Sequence, residues 1–241
     1  QRRLRQMKCS CRAAETAGIG HGKETLQTVH VHGTSMQHPD SWYRPGAWIG
    51  LCGRFTIKPM AADLSTPVLT YDPTPRAPAL TLPPLACDSH VHVFGPAARF
   101  PYAPTRGFTP VDAPKEALFA LHKTLGVQRC VIVQSMVHGL DNRAVDDAVA
   151  AGGGNYLGVA LVTVDVADAE LARLARSGMR GVRFHFMRHL AGSTDIEAIV
   201  ALTHRLKPLD MHLQVHFESA LIHTLAEPLS RSAVPVVIDH M

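Results

Sequence analysis

The chain has 241 residues, 46% of them hydrophobic and 18% charged, a composition ordinary for a soluble globular protein of one large or two small domains. It contains no run of about 18 apolar residues, which argues against a membrane span. Its five cysteines are scattered and odd in number, a pattern that favours reduced thiols in the cytoplasm over a disulfide framework.

The formal net charge of +4 is unevenly distributed along the chain. Residues 1–59 hold nine Lys/Arg and three Asp/Glu, a balance of +6, whereas residues 60–241 hold fifteen and seventeen, a balance of −2. The basic segment lacks interleaved aromatic residues and any known nucleic-acid motif. We therefore predict neither a nucleic-acid partner nor a membrane partner.

Three segments differ in character. Residues 1–59 show no sustained helical or strand period, which predicts an irregular or disordered extension, and we expect the natural protein to start at or near Met60. Residues 60–84 are rich in proline and predict an extended lead-in that wraps onto the following domain. Residues 85–241 have a regular pattern and form the predicted main domain.

Short apolar strands alternate with amphipathic helices through this domain. The predicted strands are 85–94, 130–134, 156–164, 180–186, 211–217 and 234–241, and the predicted helices are 113–126, 141–153, 168–178, 193–206 and 218–231. This alternation is typical of right-handed βαβ units with a parallel sheet, in a doubly wound fold or a (β/α)₈ barrel. No Gly-x-Gly-x-x-Gly follows a strand, which weakens the dinucleotide-binding version. We expect about six of eight βα units, an open barrel with exposed edge strands.

Histidines and arginines collect at the carboxyl ends of the predicted strands, where parallel α/β folds place their reactive groups. These residues are His90 and His92 on the first strand, His138 after the second, Arg183 and His185 on the fourth, His216 on the fifth and His240 on the sixth. Such imidazoles can polarise a carbonyl and stabilise an oxyanion, or hold a metal that activates water. The similar pair His30 and His32 has no strand context, and we interpret it as accidental.

Four sequence blocks carry a family resemblance: DSHVHVFGPAARFPYAPTRGFTPVDAP, VIVQSMVHGLDN, GMRGVRFHFMRHL and VPVVIDHM. In this order and spacing, over about residues 68–241, the chain resembles the amidohydrolase superfamily. More narrowly, it is similar to the 2-pyrone-4,6-dicarboxylate hydrolases, which are lactonases built on a (β/α)₈ barrel. The resemblance therefore implies a TIM-barrel fold that is incomplete in this chain.

The resemblance also implies roles for three histidines. His90, His92 and His240 match positions that hold a divalent metal in most of the superfamily, together with an aspartate on strand eight that serves as general base. The pyrone hydrolases are similar but work without metal, whereas the sulfomuconolactone hydrolases use zinc. We expect these histidines to be catalytic, with no cofactor in a pyrone hydrolase and with zinc or manganese otherwise.

Further positions match the substrate pocket of the family. Arg183 matches an arginine that binds a substrate carboxylate, and His138 and Asn142 match a loop that lines the pocket. His189, preceded by Arg188, stands where the family has a second carboxylate-binding arginine, and His216 stands where it has a tyrosine. The remaining departure is His185, which replaces an asparagine.

The function expected from these residues is hydrolysis of a small anionic lactone. The resemblance favours 2-pyrone-4,6-dicarboxylate as substrate, in the breakdown of lignin-derived aromatic compounds. A metal-dependent lactonase or a decarboxylase of the same superfamily is the alternative. A third interpretation is an inactive barrel fragment, and we expect little hydrolysis by this chain alone. The expected partner is the dicarboxylate lactone, and the oligomeric state stays open.

Overall fold

The computed structural model describes residues 64–187 and 195–240, which lie within a compact unit spanning 61–241. The predicted extension at 1–59, including His30 and His32, lies outside the described residues. The strands are β1 to β6, in order Cys87–Val91, Arg129–Val133, Tyr156–Leu161, Met179–Phe186, His212–Phe217 and Val236–Ile238. The helices are α1 to α5, in order Lys115–Leu125, Arg143–Ala151, Asp168–Arg176, Ile196–Leu206 and Ile222–Ser230.

The six strands form one parallel sheet in the sequential order β1 to β6. A doubly wound sheet reverses its strand order at a switch point, whereas a barrel adds each strand beside the one before it. The order confirms the predicted partial (β/α)₈ barrel. Most elements are shorter than predicted, and two differ most: β6 has three residues, and a 3₁₀ turn at Ser219–Leu221 takes the place of the predicted first residues of α5.

Alternation along the strands separates an apolar face from a polar one. On β5, Leu213, Val215 and Phe217 are buried in the core that the sheet shares with the helices. Gln214 and His216 lie between them in sequence, and successive residues of a strand face opposite sides. The helices cover the apolar face, and α1 ends at Gly126 in the left-handed conformation (φ 78°) as its pattern predicts. The opposite face, which we call the inner face, is thus free to carry polar groups.

An irregularity in β1 sets which residues of that strand reach the inner face. The register pairs Asp88 with Cys130 and Val91 with Ile132, so β1 uses one more residue than β2 over this stretch. Such a β-bulge reverses the alternation beyond it. Asp88 consequently faces the helix α1, while His90 and His92 face the inner side although all three residues share one parity in the sequence.

The proline-rich lead-in runs along the loop that follows β1. The backbone N–H of Val68 donates to Thr109, and the N–H of Val111 donates back to Val68.

Across 64–187 and 195–240, none of the helices has the length and apolar character that crossing a bilayer requires.

Candidate active site

The carboxylate of Asp239, at the end of β6, is the centre of the polar cluster on the inner face. It accepts a hydrogen bond from Arg183 Nε at 2.6 Å and another from Gln214 Nε2 at 2.6 Å. His90 Nδ1 lies 3.3 Å from its Oδ1. Side chains of three strands, β1, β4 and β5, therefore converge on one side chain that directly follows β6.

Charge compensation keeps this buried carboxylate ionised. Only 2% of the Asp239 side chain and 4% of the Arg183 side chain are exposed. Burial alone would raise the pKa of Asp239, but the hydrogen bond from His90 and the Arg183 guanidinium together lower it below its usual value. Burial lowers the pKa of Arg183 and Asp239 opposes that effect, and the guanidinium stays protonated near neutral pH. Arg183 and Asp239 thus form a buried ion pair.

The two histidines at the end of β1, His90 and His92, each use Nδ1 to bind an oxygen acceptor. His92 Nδ1 lies 2.7 Å from the carbonyl of Val133, and His90 Nδ1 faces Asp239. A carbonyl and an ionised carboxylate only accept, so Nδ1 carries the proton in both rings. In the neutral form of each ring, Nε2 is then unprotonated and carries a lone pair that can accept. His90 Nε2 is buried and has no hydrogen-bond partner among the described residues.

Several imidazoles of the cluster are neutral near pH 7. Burial lowers the pKa of His92 to about 4, with smaller contributions from His90 and Arg183. Burial and the charge of Arg183 lower the pKa of His185 to about 3. The pKa of His240 is also lowered, by burial and then by His90. A neutral ring whose Nδ1 is the donor cannot donate from Nε2, so His92 can accept a proton or bind a cation there but cannot stabilise an oxyanion.

The backbone of His240 adopts a left-handed conformation, with φ of 54°. Consecutive strand residues normally point to opposite faces. Here the turn after β6 brings both Asp239 and His240 to His90: the His240 ring lies 4.9 Å from the His90 ring and 4.7 Å from the His216 ring, between centroids. This conformation explains how one strand end supplies two neighbouring groups to the cluster.

The ends of β4 and β5 supply a second pair of imidazoles. His185 Nδ1 lies 3.4 Å from His216 Nδ1, in register across the two strands. In such a pair one ring donates and the other accepts. His185 Nε2 is buried without a hydrogen-bond partner in the part of the chain that the structure describes. The structure therefore brings together five predicted site residues, which are His90, His92, Arg183, His216 and His240.

The predicted pocket residues after β2 are held by the backbone. His138 Nε2 accepts from the N–H of Gly95 at 3.1 Å, and Nδ1 lies 3.2 Å from the carbonyl of Pro101. The Asn142 amide exchanges two hydrogen bonds with the backbone of Leu161. These contacts connect loops at the strand ends, and substrate contact by His138 and Asn142 stays a prediction. Arg188 and His189 lie outside the described residues.

The sequence analysis missed two members of the cluster, Asp239 and Gln214. Asp239 carries a recognisable signal, since an acidic residue directly follows the buried apolar run of β6 and directly precedes His240. Gln214 alternates with buried apolar residues on β5, which places it on the inner face. Neither signal identifies the partner, because the contacts join residues 25 to 56 positions apart.

The donor set suits a divalent cation. His90, Asp239 and His240 each offer one ligand atom within 4.8 Å of the others. His92 is not a member of this group, and Arg183 lies 2.6 Å from Asp239, where it would face a cation bound to that carboxylate. Metal-binding histidines typically donate their other N–H to a carboxylate or a carbonyl, as His90 and His92 do. Two imidazoles and a carboxylate are donor types that zinc accepts.

Comparisons with known proteins agree with this architecture. The chain is 41% identical over 173 residues to a 2-pyrone-4,6-dicarboxylate hydrolase of Comamonas testosteroni, covering 72% of this chain and 57% of that protein. It is 38% identical over 160 residues to a 4-sulfomuconolactone hydrolase of Hydrogenophaga intermedia, covering 66% and 53%. The chain thus spans just over half the length of these curated relatives.

A solved structure from Pseudomonas putida, assigned as a 2-pyrone-4,6-dicarboxylic acid hydrolase, superposes with a TM-score of 0.56 at 32% identity. The match covers 66% of this chain and 58% of that structure. The sequence profile of the amidohydrolase family matches residues 87–241, from the first residue of β1 through the histidine cluster. This match extends over well more than half of the sequence, and the chain belongs to the amidohydrolase family.

Proposed function

We propose that this chain supplies the catalytic cluster of a hydrolase that opens a small anionic lactone, with 2-pyrone-4,6-dicarboxylate as the favoured substrate. The observation that carries the proposal is the convergence of Arg183 and four histidines on one strand-end rim around Asp239. The 41% identity to a named pyrone-dicarboxylate hydrolase supports the substrate class. Such a reaction belongs to the breakdown of aromatic compounds.

Arg183 is the proposed carboxylate-binding group. Its Nε donates to Asp239, so the other guanidinium donors are on the two Nη atoms, whose planar geometry matches a carboxylate. Asp239 fixes the orientation of the guanidinium, and Gln214 in turn holds the carboxylate. A preorganised cation of this kind binds the substrate and can stabilise negative charge that develops on the lactone carbonyl.

The β1 histidines are the proposed groups that act on water. With Nδ1 bound to Val133, His92 Nε2 is placed to accept a proton from the attacking water. His90 is oriented in the same sense by Asp239. His185 and His216, which replace an asparagine and a tyrosine of the related family, then border the substrate and contribute to its selection. Arg188, His189, His138 and Asn142 remain proposed substrate contacts.

A metal-dependent lactonase is the second candidate function. The observation that favours it is that His90 and His92, at the end of β1, both direct Nδ1 to an oxygen acceptor, the arrangement of metal-binding histidines. If a divalent ion is bound, His90, His92 and His240 would hold it, and it would lower the pKa of the water that attacks the lactone. The 4-sulfomuconolactone hydrolase relative supports this candidate.

One assay separates the two candidates. A protein of the relatives' full length that contains this chain is given 2-pyrone-4,6-dicarboxylate or 4-sulfomuconolactone, before and after treatment with a chelator. Hydrolysis of the pyrone that survives chelation supports the first candidate, and chelator-sensitive hydrolysis restored by zinc or manganese supports the second. Absence of hydrolysis with both lactones would contradict the proposed function.

A further inference from the structure

A second polar network lies on the opposite side of β1, between the sheet and α1. His122 on α1 is 1% exposed, and its Nε2 lies 3.3 Å from Asp88 Oδ2. Its Nδ1 lies 2.9 Å from the hydroxyl of Tyr156, at the start of β3. The rings of His122 and Tyr156 also stack, with 5.6 Å between centroids. A buried imidazole thus joins β1, α1 and β3, on the side away from the Asp239 cluster.

One arrangement of protons satisfies every polar atom of this network. Asp88 accepts, so His122 Nε2 carries the proton and donates to it. In the neutral form of the ring, His122 Nδ1 is then the acceptor, and the Tyr156 hydroxyl donates to it. The other carboxylate oxygen, Asp88 Oδ1, accepts from the backbone N–H of His90 at 3.2 Å. The Tyr156 hydroxyl therefore donates to His122, and His122 donates to Asp88. The Asp88 carboxylate also accepts from the backbone N–H of His90.

The contact between Asp88 and the backbone of His90 lies inside the β-bulge. A bulge interrupts the ladder, and an aspartate that accepts the N–H two residues ahead stabilises the local turn. The bulge is also what turns His90 and His92 to the inner face. The rotamer of Asp88 is fixed in turn by His122, and that of His122 by Tyr156.

We propose that Asp88, His122 and Tyr156 form a positioning network that holds the bulge of β1 and so keeps the His90 imidazole aimed at Asp239. These are positioning residues, because the described contacts place Asp88 on the backbone of His90 and place none of the three on the Asp239 carboxylate. The proposal rests on the proposed function only in taking His90 as a catalytic group.

The readout is the tautomer of individual histidines, measured by long-range ¹H–¹⁵N NMR on the complete 241-residue chain labelled at its 15 histidines. His90 and His122 are assigned from the signals lost in His90→Gln and His122→Gln. The unmodified chain is expected to hold His90 as the Nδ1–H form and His122 as the Nε2–H form. The reverse form at either residue would overturn the proposal.

Two substitutions of Asp88 give opposite expectations. Asp88→Ala removes the acceptor for the His90 N–H, so His90 is expected to lose its single Nδ1–H form and give a mixture of tautomers. In Asp88→Asn the amide oxygen still accepts from His90, while the amide N–H₂ now faces His122 Nε2. His122 is therefore expected to switch to the Nδ1–H form and donate to the Tyr156 oxygen, with His90 unchanged. An unchanged His90 in Asp88→Ala, or an unswitched His122 in Asp88→Asn, would overturn the network.

Leu118→Ala is the matched control for loss of packing. Leu118 lies on the same face of α1 one turn before His122, is buried in the core, and makes no hydrogen bond to Asp88 through its side chain. It is expected to lower stability while leaving both tautomers as they are, and a change at His90 equal to that in Asp88→Ala would overturn the proposal. Should Asp88→Ala fail to fold, Tyr156→Phe serves in its place. It removes only the donor to His122 Nδ1, so His122 is expected to keep its Nε2–H form while the ¹⁵N shift of Nδ1 moves, and an unmoved Nδ1 shift would contradict the network.

Lactone hydrolysis by the full-length protein gives a second readout, which depends on the proposed function. Asp88→Ala is expected to lower kcat for lactone hydrolysis by about 100-fold, the scale of a small misplacement of a catalytic group, with KM nearly unchanged and recovery in Asp88→Asn. A raised KM at constant kcat would contradict positioning. If the unmodified protein hydrolyses no lactone, the proposed function fails, whereas the NMR result still decides on the network.

Discussion

The two histidine pairs of the inner face differ in what holds them. At the end of β1, His90 and His92 each bind an oxygen acceptor, Asp239 and the Val133 carbonyl, so the free nitrogen of each neutral ring has a fixed state. At the ends of β4 and β5, His185 Nδ1 and His216 Nδ1 face each other at 3.4 Å, so each ring has an imidazole nitrogen, and not an oxygen, as this partner. An oxygen acceptor fixes which ring nitrogen of a histidine carries the proton, whereas a histidine partner can act as either donor or acceptor. The β1 pair suits catalysis or metal binding, and the other pair suits substrate selection.

The largest expected effect comes from the carboxylate that orients the β1 side. Asp239→Ala leaves the buried Arg183 without a counter-charge and is expected to lower the free energy of unfolding by about 3–5 kcal/mol. The matched control is Asp168→Ala, which breaks an exposed pair with Arg205 and is expected to cost no more than about 1 kcal/mol. Urea denaturation of both variants measures the difference, and equal losses would contradict a buried ion pair at Asp239.

Metal affinity separates the two histidine pairs directly. His92→Gln removes one of the proposed zinc ligands. Loss of a residue that only orients a ligand weakens metal binding by about 10–100-fold, so loss of the ligand itself is expected to weaken zinc binding by at least that much. His185→Gln, a substitution of a similarly neutral imidazole, is expected to change zinc affinity little. Calorimetric titration with zinc measures both. Equal weakening would mean that the β4–β5 pair also binds the metal.

Acid is expected to destabilise the fold through the neutral imidazoles. The pKa values of His92 and His185 lie at about 4 and about 3, below the ordinary 6.5, so the unfolded chain binds more protons than the folded one below pH 6.5. Stability is therefore complete above that pH and falls as the pH drops towards 4 and 3, by at most about 1.4 kcal/mol per pH unit for each group. Urea midpoints between pH 7 and pH 4.5 should fall less steeply in His185→Asn than in the unmodified chain. An unaltered slope would show that His185 is not a neutral buried group.

The smallest effect is expected at the other His-Val-His triplet. His30 and His32 lie outside the described residues, and their sequence context predicts no site. The double substitution His30→Gln/His32→Gln is expected to leave zinc affinity within about twofold and unfolding within about 0.5 kcal/mol of the unmodified chain. Zinc titration and urea denaturation check this, and a large loss of affinity would reverse the interpretation of the two triplets.

The strand order and the shared face of His90 and His92 could be predicted because both follow from periodicity. The bulge at Asp88 could not be predicted. Strand alternation places Asp88, His90 and His92 on one face, and only the register shift shows that Asp88 faces the other side. Asp239 was missed for a related reason. Nothing in the sequence around this aspartate indicates that it binds Arg183, which lies 56 positions away. Sequence periodicity assigns faces, whereas long-range pairing decides what each side chain does there.

Lactone hydrolysis by Arg183 variants tests the central claim most directly. In a full-length protein that contains this chain, Arg183→Ala is expected to lower kcat/KM for 2-pyrone-4,6-dicarboxylate by about 100-fold, the effect of losing charge-assisted hydrogen bonds of about 1.5–3 kcal/mol. Arg183→Lys should recover little of this loss because an ammonium cannot form the bidentate contact. Arg205→Ala, on α4 and paired with Asp168 instead of Asp239, should keep full activity. Unchanged kcat/KM in a folded Arg183→Ala protein would contradict the account.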